Sequence, residues 1–118
     1  MSSQKKNTAV VPMPARWMNA DSDALFEAIL KLRNLNEARR FFRDLLTEKE
    51  IIEFSNRWKV AKMLSREKSY FEIEDATRMS STTIARINQW LTSGMGGYRL
   101  VINRIGEHSS PQPRRGLS

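Results

Sequence analysis

Side chains that can exchange hydrogen bonds with nucleobases are concentrated in one short segment, residues 80–91, which reads SSTTIARINQWL. If Ile84, Ile87 and Leu91 form the buried side of a helix, a rotation of about 100° per residue brings the polar residues to the opposite side. We expect that side to comprise Thr82, Ala85, Arg86 and Gln89, with Ser81 and Thr83 flanking it, and we predict that these six residues contact bases. Hydroxyls can bond to base edges, methyl groups fit against thymine, glutamine can pair with adenine, and arginine can bind guanine or a phosphate.

Hydroxyls at a helix start can also serve only as caps, and the two roles must be weighed for each residue. We favour capping for Ser80 and a base contact for Thr82. The segment as a whole therefore has the side chains of a helix that contacts bases in a major groove.

A second helix start precedes this segment closely. Ser69 with Glu72 three residues later matches a capping box, and the pair Ser80–Ser81 can cap the following helix. The turn between them, near Thr77–Ser80, is too short for antiparallel helices, and this spacing is typical of a helix-turn-helix over residues 69–91. The residues expected in the shared buried seam are Ile73, Thr77, Met79, Ile84 and Ile87.

Residues around the first helix of the motif can bind DNA phosphates without selecting a sequence. Ser69 and Tyr70 lie at its amino end, where backbone N–H groups and a phenol can donate to a phosphate. Arg66, Lys68 and Arg78 supply positive charge nearby. A tight turn at Arg78 would require φ > 0, which is costly for a side chain, so we expect a looser turn than usual.

The charge of the chain supports a polyanionic partner. The net charge is +7, with −2 in residues 21–53 and +5 in residues 54–105, and no carboxylate side chain occurs from Ala76 to Gly106. The second half of the motif should therefore attract phosphates. A merely solvated basic surface would also explain the charge alone, but charge and motif together favour double-stranded DNA.

Composition excludes several other classes of protein. The 118 residues fit one domain, and the absence of cysteine excludes disulfides and thiolate metal sites. Because no apolar run approaches the roughly 18 residues of a membrane span, we expect a soluble, cytoplasmic protein without membrane contact. The one histidine, His108, lies in the tail, and no set of residues assembles a nucleophile, a base and a group to orient it. We therefore expect no catalytic residue, no metal site, no cofactor and no enzyme.

The apolar periodicity is helical throughout the middle of the chain, which predicts an all-α domain over residues 21–105. Residues 1–20 are expected to form a flexible amino-terminal arm and residues 106–118 a flexible carboxyl-terminal tail. The expected caps are Asp21 or Ser22 for the first helix, Asn36 for the second and Thr47, with Glu50, for the third. The third helix is expected to end around Arg66–Lys68. A cluster of Gly94, Gly96 and Gly97 should end the helix that begins near Ser80 and precede a final helix.

Helices between residues 24 and 64 are apolar around more than one face. Leu25, Phe26, Ile29 and Leu30 cannot all point to one small core, nor can Ile51, Ile52, Phe54 and Trp58. This predicts a homodimer, whose two-fold symmetry would bring two helices into successive major grooves about 34 Å apart. The alternative is a compact monomer with some exposed apolar surface.

The chain resembles the tryptophan repressor superfamily at Leu46–Thr47, Arg57, Leu64, Ser69, Glu72, Ile73, Thr83–Ile84 and Arg86. The segments AKML at 61–64, SSTTIARIN at 80–88 and GMGGY at 94–98 are most similar to its YerC/YecD branch. The resemblance extends over about residues 24–105. It implies a Trp-repressor-like helical bundle, an intertwined dimer that binds operator DNA and regulates transcription.

The resemblance also implies a former effector site. In tryptophan-responsive members a threonine and two arginines help to hold the amino acid, and they match Thr47, Arg57 and Arg86. Ile87 and Trp90 stand where that family has a glycine and a serine. We hypothesise that these bulky side chains fill the cavity and fix the motif without tryptophan, while Arg57 serves structure or phosphate binding. Whether another small-molecule effector exists stays open.

The sequence thus predicts a sequence-specific DNA-binding transcriptional regulator, a repressor, that inserts its second motif helix into the major groove. The alternative is a helical protein–protein interaction module whose apolar faces and basic strip bind another protein. The two differ in how strongly duplex binding should depend on salt.

Overall fold

A computed structural model of the chain describes residues 15–109, with side chains up to residue 106. Within that range there are six α-helices and no strand, which confirms the all-α class. The helices are α1 (Ala20–Ile29), α2 (Leu35–Leu45), α3 (Glu48–Ser65), α4 (Tyr70–Thr77), α5 (Ser81–Ser93) and α6 (Gly97–Ser109). Most of the arm and tail predicted at 1–20 and 106–118 lies outside the described residues, and α6 continues past residue 106 to Ser109.

The chain divides into two compact units, and the boundary falls inside α3 between Ile52 and Glu53. In the first unit none of the described residues, 15–52, is buried. The rings of Trp17 and Phe26 meet edge to face with centroids 6.3 Å apart. Leu30 is 80% exposed and Leu35 is 65% exposed. This unit therefore keeps much of its apolar surface in contact with water.

The first two helix caps differ from those predicted. Asn19 caps α1, since its Oδ1 accepts from the backbone N of Ser22 at 2.9 Å. Asn34 caps α2 by accepting from the N of Glu37 at 2.9 Å. The predictions of Asp21 or Ser22 and of Asn36 were wrong because each region offers several polar candidates, and those residues lie within the helices. Only Asn19 and Asn34 have the extended backbone that a cap requires.

The predicted start of α3 is confirmed. Thr47 and Glu50 form reciprocal bonds: the backbone N of Thr47 donates to Glu50 Oε1 at 2.9 Å, and the backbone N of Glu50 donates to Thr47 Oγ1 at 3.1 Å. The helix then runs 18 residues to Ser65, close to the predicted end. It contributes Val60 and Ala61 to the core of the second unit.

The core of the second unit joins α3, α4 and α5 through five fully buried side chains. They are Val60, Ala61, Ile73, Ile84 and Ile87. Trp58, Met63, Leu64, Met79, Tyr98 and Ile102 pack against them. Removing a large aliphatic side chain from water contributes about 1.5–3 kcal/mol. The seam predicted between the motif helices is confirmed, because Ile73, Thr77, Ile84 and Ile87 are buried and Met79 packs beside them.

Thr77 is the one buried polar residue among the described positions, and both of its hydrogen-bonding functions are used. Its Oγ1 donates to the carbonyl of Ile73 at 2.7 Å and accepts from the N of Met79 at 3.2 Å. The second bond satisfies a backbone N–H just beyond the end of α4. Thr77 therefore stabilises the beginning of the turn as well as the seam.

The capping box predicted at the start of α4 is confirmed. The backbone N of Ser69 donates to Glu72 Oε1 at 2.9 Å, and the N of Glu72 donates to Ser69 Oγ at 3.1 Å. The bond from the Ser69 backbone is the main cause that lowers the pKa of Glu72 below 4.5. The Ser69 hydroxyl and the charge of Lys68 act in the same direction, and desolvation opposes them.

This lowered pKa predicts a pH-dependent contribution to stability. Because the pKa of Glu72 is lower in the folded chain than its ordinary value of 4.5, ionised Glu72 stabilises the fold above that pH. The contribution is lost as the pH falls through the lowered pKa. Glu72→Gln keeps an amide oxygen able to cap but cannot ionise. We expect the wild type to melt higher than Glu72→Gln near neutral pH and the difference to disappear in acid.

Thermal unfolding followed by circular dichroism across the acid range measures this difference. Asp75→Asn is the matched control, because it removes a carboxylate from α4 that takes no part in the cap. Asp75→Asn should behave like the wild type: it should melt higher than Glu72→Gln near neutral pH, and this difference should disappear in acid. A difference in melting temperature between wild type and Glu72→Gln that stays constant down to the lowest pH would contradict the prediction.

Candidate nucleic-acid interface

Helix α5 has one buried side and one exposed side, as the sequence predicts. Ile84 and Ile87 are fully buried and Leu91 is 5% exposed. Five of the six predicted base-contacting residues are exposed, namely Ser81, Thr82, Ala85, Arg86 and Gln89. The side chains of Arg86 and Gln89 form no hydrogen bond with the described residues. The exposed side of α5 thus presents free donors and acceptors.

Thr83, the sixth predicted residue, lies at the flank of the exposed side. It is half-buried, and its Oγ1 accepts from the hydroxyl of Ser80 at 3.1 Å. The Ser80 oxygen in turn accepts from the backbone N of Thr83 at 3.2 Å. The capping role favoured for Ser80 is therefore confirmed. The hydroxyl of Thr83 is engaged with that cap, which leaves Thr82 as the better exposed threonine.

The turn between α4 and α5 is tight. Arg78 has φ 64° and ψ 13°, the left-handed conformation that glycine adopts most easily. Its backbone N donates to the carbonyl of Glu74 at 2.7 Å, which closes α4. The prediction of a looser turn was wrong, because the buried seam on both sides of the turn determines the path of the chain. A side chain is thereby held in a strained conformation at the surface.

The five predicted phosphate-contacting residues are all exposed: Arg66, Lys68, Ser69, Tyr70 and Arg78. The capping box uses the backbone N–H of Ser69, so that group is not available to a phosphate. The first-turn N–H groups that remain belong to Tyr70 and Phe71, since N–H groups in this turn have no partner within the helix. The prediction that the N–H of Ser69 donates to a phosphate was wrong, because Glu72 competes for the same donor.

Gly94 and a contact from α6 determine where α5 ends. A Cβ atom at Gly94 would collide with the carbonyl oxygen of Trp90, so only glycine fits as the cap of α5. Arg99 Nε donates to the carbonyl of Leu91 at 3.1 Å. The ring of Tyr98 stacks on that of Trp58 with centroids 6.2 Å apart. The predicted end of α5 at the glycine cluster is confirmed.

Tyr98 lies at the edge of the core, and its phenol is affected by that position. Burial raises its pKa above 10.0, while the positive charge of Arg57 acts in the opposite direction. The phenol therefore stays neutral throughout the physiological range. Its role here is to pack α6 against α3.

The residues of the predicted vestigial effector site have separate roles in the described chain. Thr47, in the first unit, is used in the cap of α3. Arg57 pairs with Glu53 at 2.8 Å and lies 5.5 Å from the centroid of the Phe54 ring. Ile87 is part of the core, so no cavity remains at its position.

Trp90 lies at the surface rather than in the core. It is 45% exposed and, with Gly94, Met95, Gly97 and Tyr98, lines a groove of about 480 Å³. Of the two residues expected to fill the cavity, Ile87 is therefore the one that occupies the interior of the second unit. Arg86, the remaining effector candidate, is exposed on α5.

Two features of the described part of the chain bear on other functions. No group of three or more histidine and carboxylate side chains there could hold a metal ion. None of the helices in that part is long and apolar enough to cross a membrane.

A short helix, a tight turn and a second helix with an exposed polar side, within a basic unit, define a helix-turn-helix protein. Residues 20–106 match the family model of the Trp repressor protein. The chain belongs to this family, whose members are regulatory DNA-binding proteins and not enzymes. The resemblance inferred from the sequence is confirmed.

Several relatives extend the comparison. The uncharacterised Bacillus subtilis (strain 168) protein YerC is 40% identical over 85 residues, which is 72% of this chain and 82% of that protein. The crystal structure of a TrpR-like protein from Eubacterium eligens is 42% identical, with a TM-score of 0.72 over 75% of this chain and 91% of the other. A candidate Trp repressor from Staphylococcus aureus is 35% identical, with a TM-score of 0.75 over 81% and 96% of the two chains.

The conformation of Arg78 leads to a prediction about stability. A left-handed backbone costs a residue with a side chain about 1–2 kcal/mol, and glycine adopts it freely. Glycine also loses more backbone entropy on folding, which offsets part of this gain. We therefore expect Arg78→Gly to raise the free energy of unfolding by roughly 0.5–1 kcal/mol. Urea denaturation at one fixed protein concentration measures the change.

Arg78→Ala is the matched control, because it removes the same charge but keeps a Cβ atom in the left-handed conformation. We expect no comparable stabilisation from it. If the glycine and alanine variants unfold at the same urea concentration, Arg78 is not strained and the turn must relax in solution.

Proposed function

We propose that the protein is a sequence-specific transcriptional repressor that binds operator DNA as a homodimer and inserts α5 into the major groove. The main support is the exposed polar side of α5, opposite the buried Ile84, Ile87 and Leu91. A helix with this division can approach base edges while its other side is held by the core. The absence of carboxylate side chains from Ala76 to Gly106 favours approach to phosphates.

In this proposal Thr82, Arg86 and Gln89 contact bases, with Ser81, Thr83 and Ala85 beside them. Thr83 contributes mainly through its methyl group, because its hydroxyl is engaged with Ser80. Arg66, Lys68, Ser69, Tyr70 and Arg78 hold the phosphate backbone and orient α5 without selecting a sequence. We infer that the protein acts in the cytoplasm, where its operator would be accessible.

The exposed apolar side chains of the first unit support the homodimer. Phe26, Leu30, Leu35 and Leu45 are each between 46% and 80% exposed. Apolar area removed from water contributes about 25 cal/mol per Å² to stability. If a second copy covered these side chains, their burial would stabilise the dimer. Two-fold symmetry would then align two α5 helices with successive major grooves.

We propose that the protein binds DNA without tryptophan as corepressor. The fully buried Ile87 occupies core volume on the inner side of α5, and Thr47 and Arg57 already have partners. The positions inherited from an effector site would then serve to fix α5 and the helix starts. The domain from residue 21 to residue 105 would bind DNA, with the arm and the tail outside it.

A helical protein–protein interaction module is the second candidate, and the apolar exposure of the first unit favours it. That function would place the basic second unit against a protein and not against DNA. The two functions differ in the salt dependence of duplex binding, because release of counterions from DNA makes affinity fall steeply with salt.

Duplex binding provides the decisive experiment. Fragments selected from the source genome by the purified protein supply the specific duplex, and a scrambled duplex of equal length is the reference. We expect Thr82→Ala and Gln89→Ala to reduce the preference for the specific duplex by about 1–3 kcal/mol each. Lys68→Ala should weaken binding to both duplexes alike and reduce the slope of log affinity against log salt by about 1.

Lys59→Ala, which removes an exposed charge of α3 outside the proposed interface, is the matched control for Lys68→Ala. Lys59→Ala should change the slope of log affinity against log salt less than Lys68→Ala does. Sequence preference that survives loss of both Thr82 and Gln89 would refute the base contacts. Duplex binding that is insensitive to salt would favour the interaction module.

Independence from tryptophan is tested by isothermal calorimetry on the wild-type protein. We expect no saturable heat on titration with L-tryptophan, and no change in duplex affinity when L-tryptophan is present. The reason is the side chain of Ile87, which leaves no room inside the core for an indole. Stoichiometric binding of L-tryptophan would refute the proposal.

A further inference from the structure

The side chain of Arg99 joins helix α6 to helix α5. Its Nε donates to the carbonyl of Leu91, in the last turn of α5, at 3.1 Å. We propose that Arg99 is a positioning residue for DNA recognition, which holds α5 in the orientation that lets Thr82 and Gln89 reach base edges. This inference rests on the proposed function and adds to it a residue that itself contacts neither a base nor a phosphate.

The carbonyl of Leu91 needs a partner from outside its helix. In an α-helix a carbonyl accepts from the N–H four residues later, and the last carbonyls have no such donor. The last helical donor at this end is the N–H of Gly94, which goes to the carbonyl of Trp90 at 2.9 Å. The carbonyl of Leu91 is the next one along α5, and Arg99 is its partner.

The charge of Arg99 also fits this place. Carbonyls at the carboxyl end of a helix carry partial negative charge, so a cation there is favourable. Helix α5 has no basic residue in its own last turn. No carboxylate side chain occurs from Ala76 to Gly106, and Arg99 takes part in no ion pair within the described residues. The carboxyl end of α5 is therefore the nearby negative group for Arg99.

The loop between α5 and α6 does not by itself determine how the two helices lie. Gly96 has φ 87°, and a Cβ atom at Gly96 or Gly97 would meet no atom within 4 Å. Glycine has the widest choice of backbone conformations, and no neighbouring group in the described chain restricts these two residues. The bond from Arg99 spans this loop and supplies the missing restraint.

Helix α6 is a firm support for this bond because it is anchored on the core. The ring of Tyr98, next to Arg99 in sequence, stacks on that of Trp58 in α3 with centroids 6.2 Å apart. Ile102 packs against the buried cluster. Arg99 therefore ties the carboxyl end of α5 to the body of the second unit.

Two attachment points then fix the direction of α5. Ile84 is buried in the seam near the amino end, and Leu91 lies about 10 Å further along the helix at roughly 1.5 Å per residue. A side chain that contacts a base must be held to within about 0.5 Å. Without the bond, α5 can tilt about Ile84, and this tilt moves Gln89 relative to its base.

Two substitutions separate the hydrogen bond of Arg99 from its charge. Arg99→Gln places an amide N–H donor at the same distance along the side chain as Nε but removes the charge, whereas Arg99→Met removes both. Arg104→Gln is the matched control, because it removes an exposed charge of α6 outside this bond. The affinity of each full-length variant is measured by fluorescence anisotropy for the genome-selected duplex and for the scrambled duplex.

We expect Arg99→Met to reduce the preference for the specific duplex about fivefold, as for loss of one hydrogen bond. Arg99→Gln has the same charge as Arg99→Met but should keep the preference of the wild type, as should Arg104→Gln. The affinity for the scrambled duplex should be equal in all three variants. A merely structural role would lower the melting temperature and leave the preference unchanged.

A second measurement needs no variant. In the wild-type protein the Nε–H of Arg99 should exchange with water more slowly than that of Arg104, as measured by nuclear magnetic resonance. Equal exchange rates would mean that the bond does not persist in solution, which overturns the proposal. The substitutions leave the five fully buried side chains of the core unchanged, so the variants should fold.

The outcomes separate this inference from the function on which it rests. Unchanged preference in Arg99→Met overturns the positioning role and leaves DNA binding intact. If Arg99→Gln loses as much affinity for both duplexes as Arg99→Met, and Arg104→Gln does not, Arg99 contacts a phosphate, which also overturns it. A wild type without any preference among duplexes would refute the proposed function itself.

Discussion

The packing of Ile73 in α4 against Ile84 and Ile87 in α5 is the constraint on which the second unit depends. These side chains are completely buried together with Val60 and Ala61 of α3. Because β-branched side chains have few rotamers, their contact fixes how each helix is rotated about its axis as well as where it lies. The same contact determines which residues of α5 are exposed, and it holds Arg78 in a conformation that a free peptide would avoid.

Stability and the proposed DNA contacts are therefore linked through single side chains. Thr77 satisfies two backbone groups while lying in the seam. Ser80 both caps α5 and engages the hydroxyl of Thr83. Glu72 takes up the N–H of Ser69 that could otherwise donate to a phosphate. In each case the local structure of the motif reduces the number of groups that remain for a ligand, so exposure alone does not identify the contacting residues.

The sequence predicts most of the second unit because two independent signals agree there. Helical spacing identifies the buried Ile84, Ile87 and Leu91, and hydroxyl caps identify the starts at Ser69 and Ser80. In the first unit the caps Asn19 and Asn34 could not be chosen, because neighbouring asparagine, aspartate and serine residues have similar capping propensities. The tight turn at Arg78 was missed for another reason: local propensity disfavours it, and only the packing on both sides enforces it. Membership of the Trp repressor family agrees with the helical spacing and with the hydroxyl caps.

Gly94 limits how far α5 can extend. The helix has 13 residues and is about 20 Å long at roughly 1.5 Å per residue, whereas a major groove is about 12 Å wide. A helix that enters the groove by its amino end therefore leaves its last turns outside. Thr92 and Ser93, whose hydroxyls donate to carbonyls of their own helix, fall in that outer part. The backbone of Gly94, which leaves no room for a Cβ atom beside the carbonyl of Trp90, ends α5 at this length. In the proposed binding mode it therefore fixes how much of the helix stands clear of the groove.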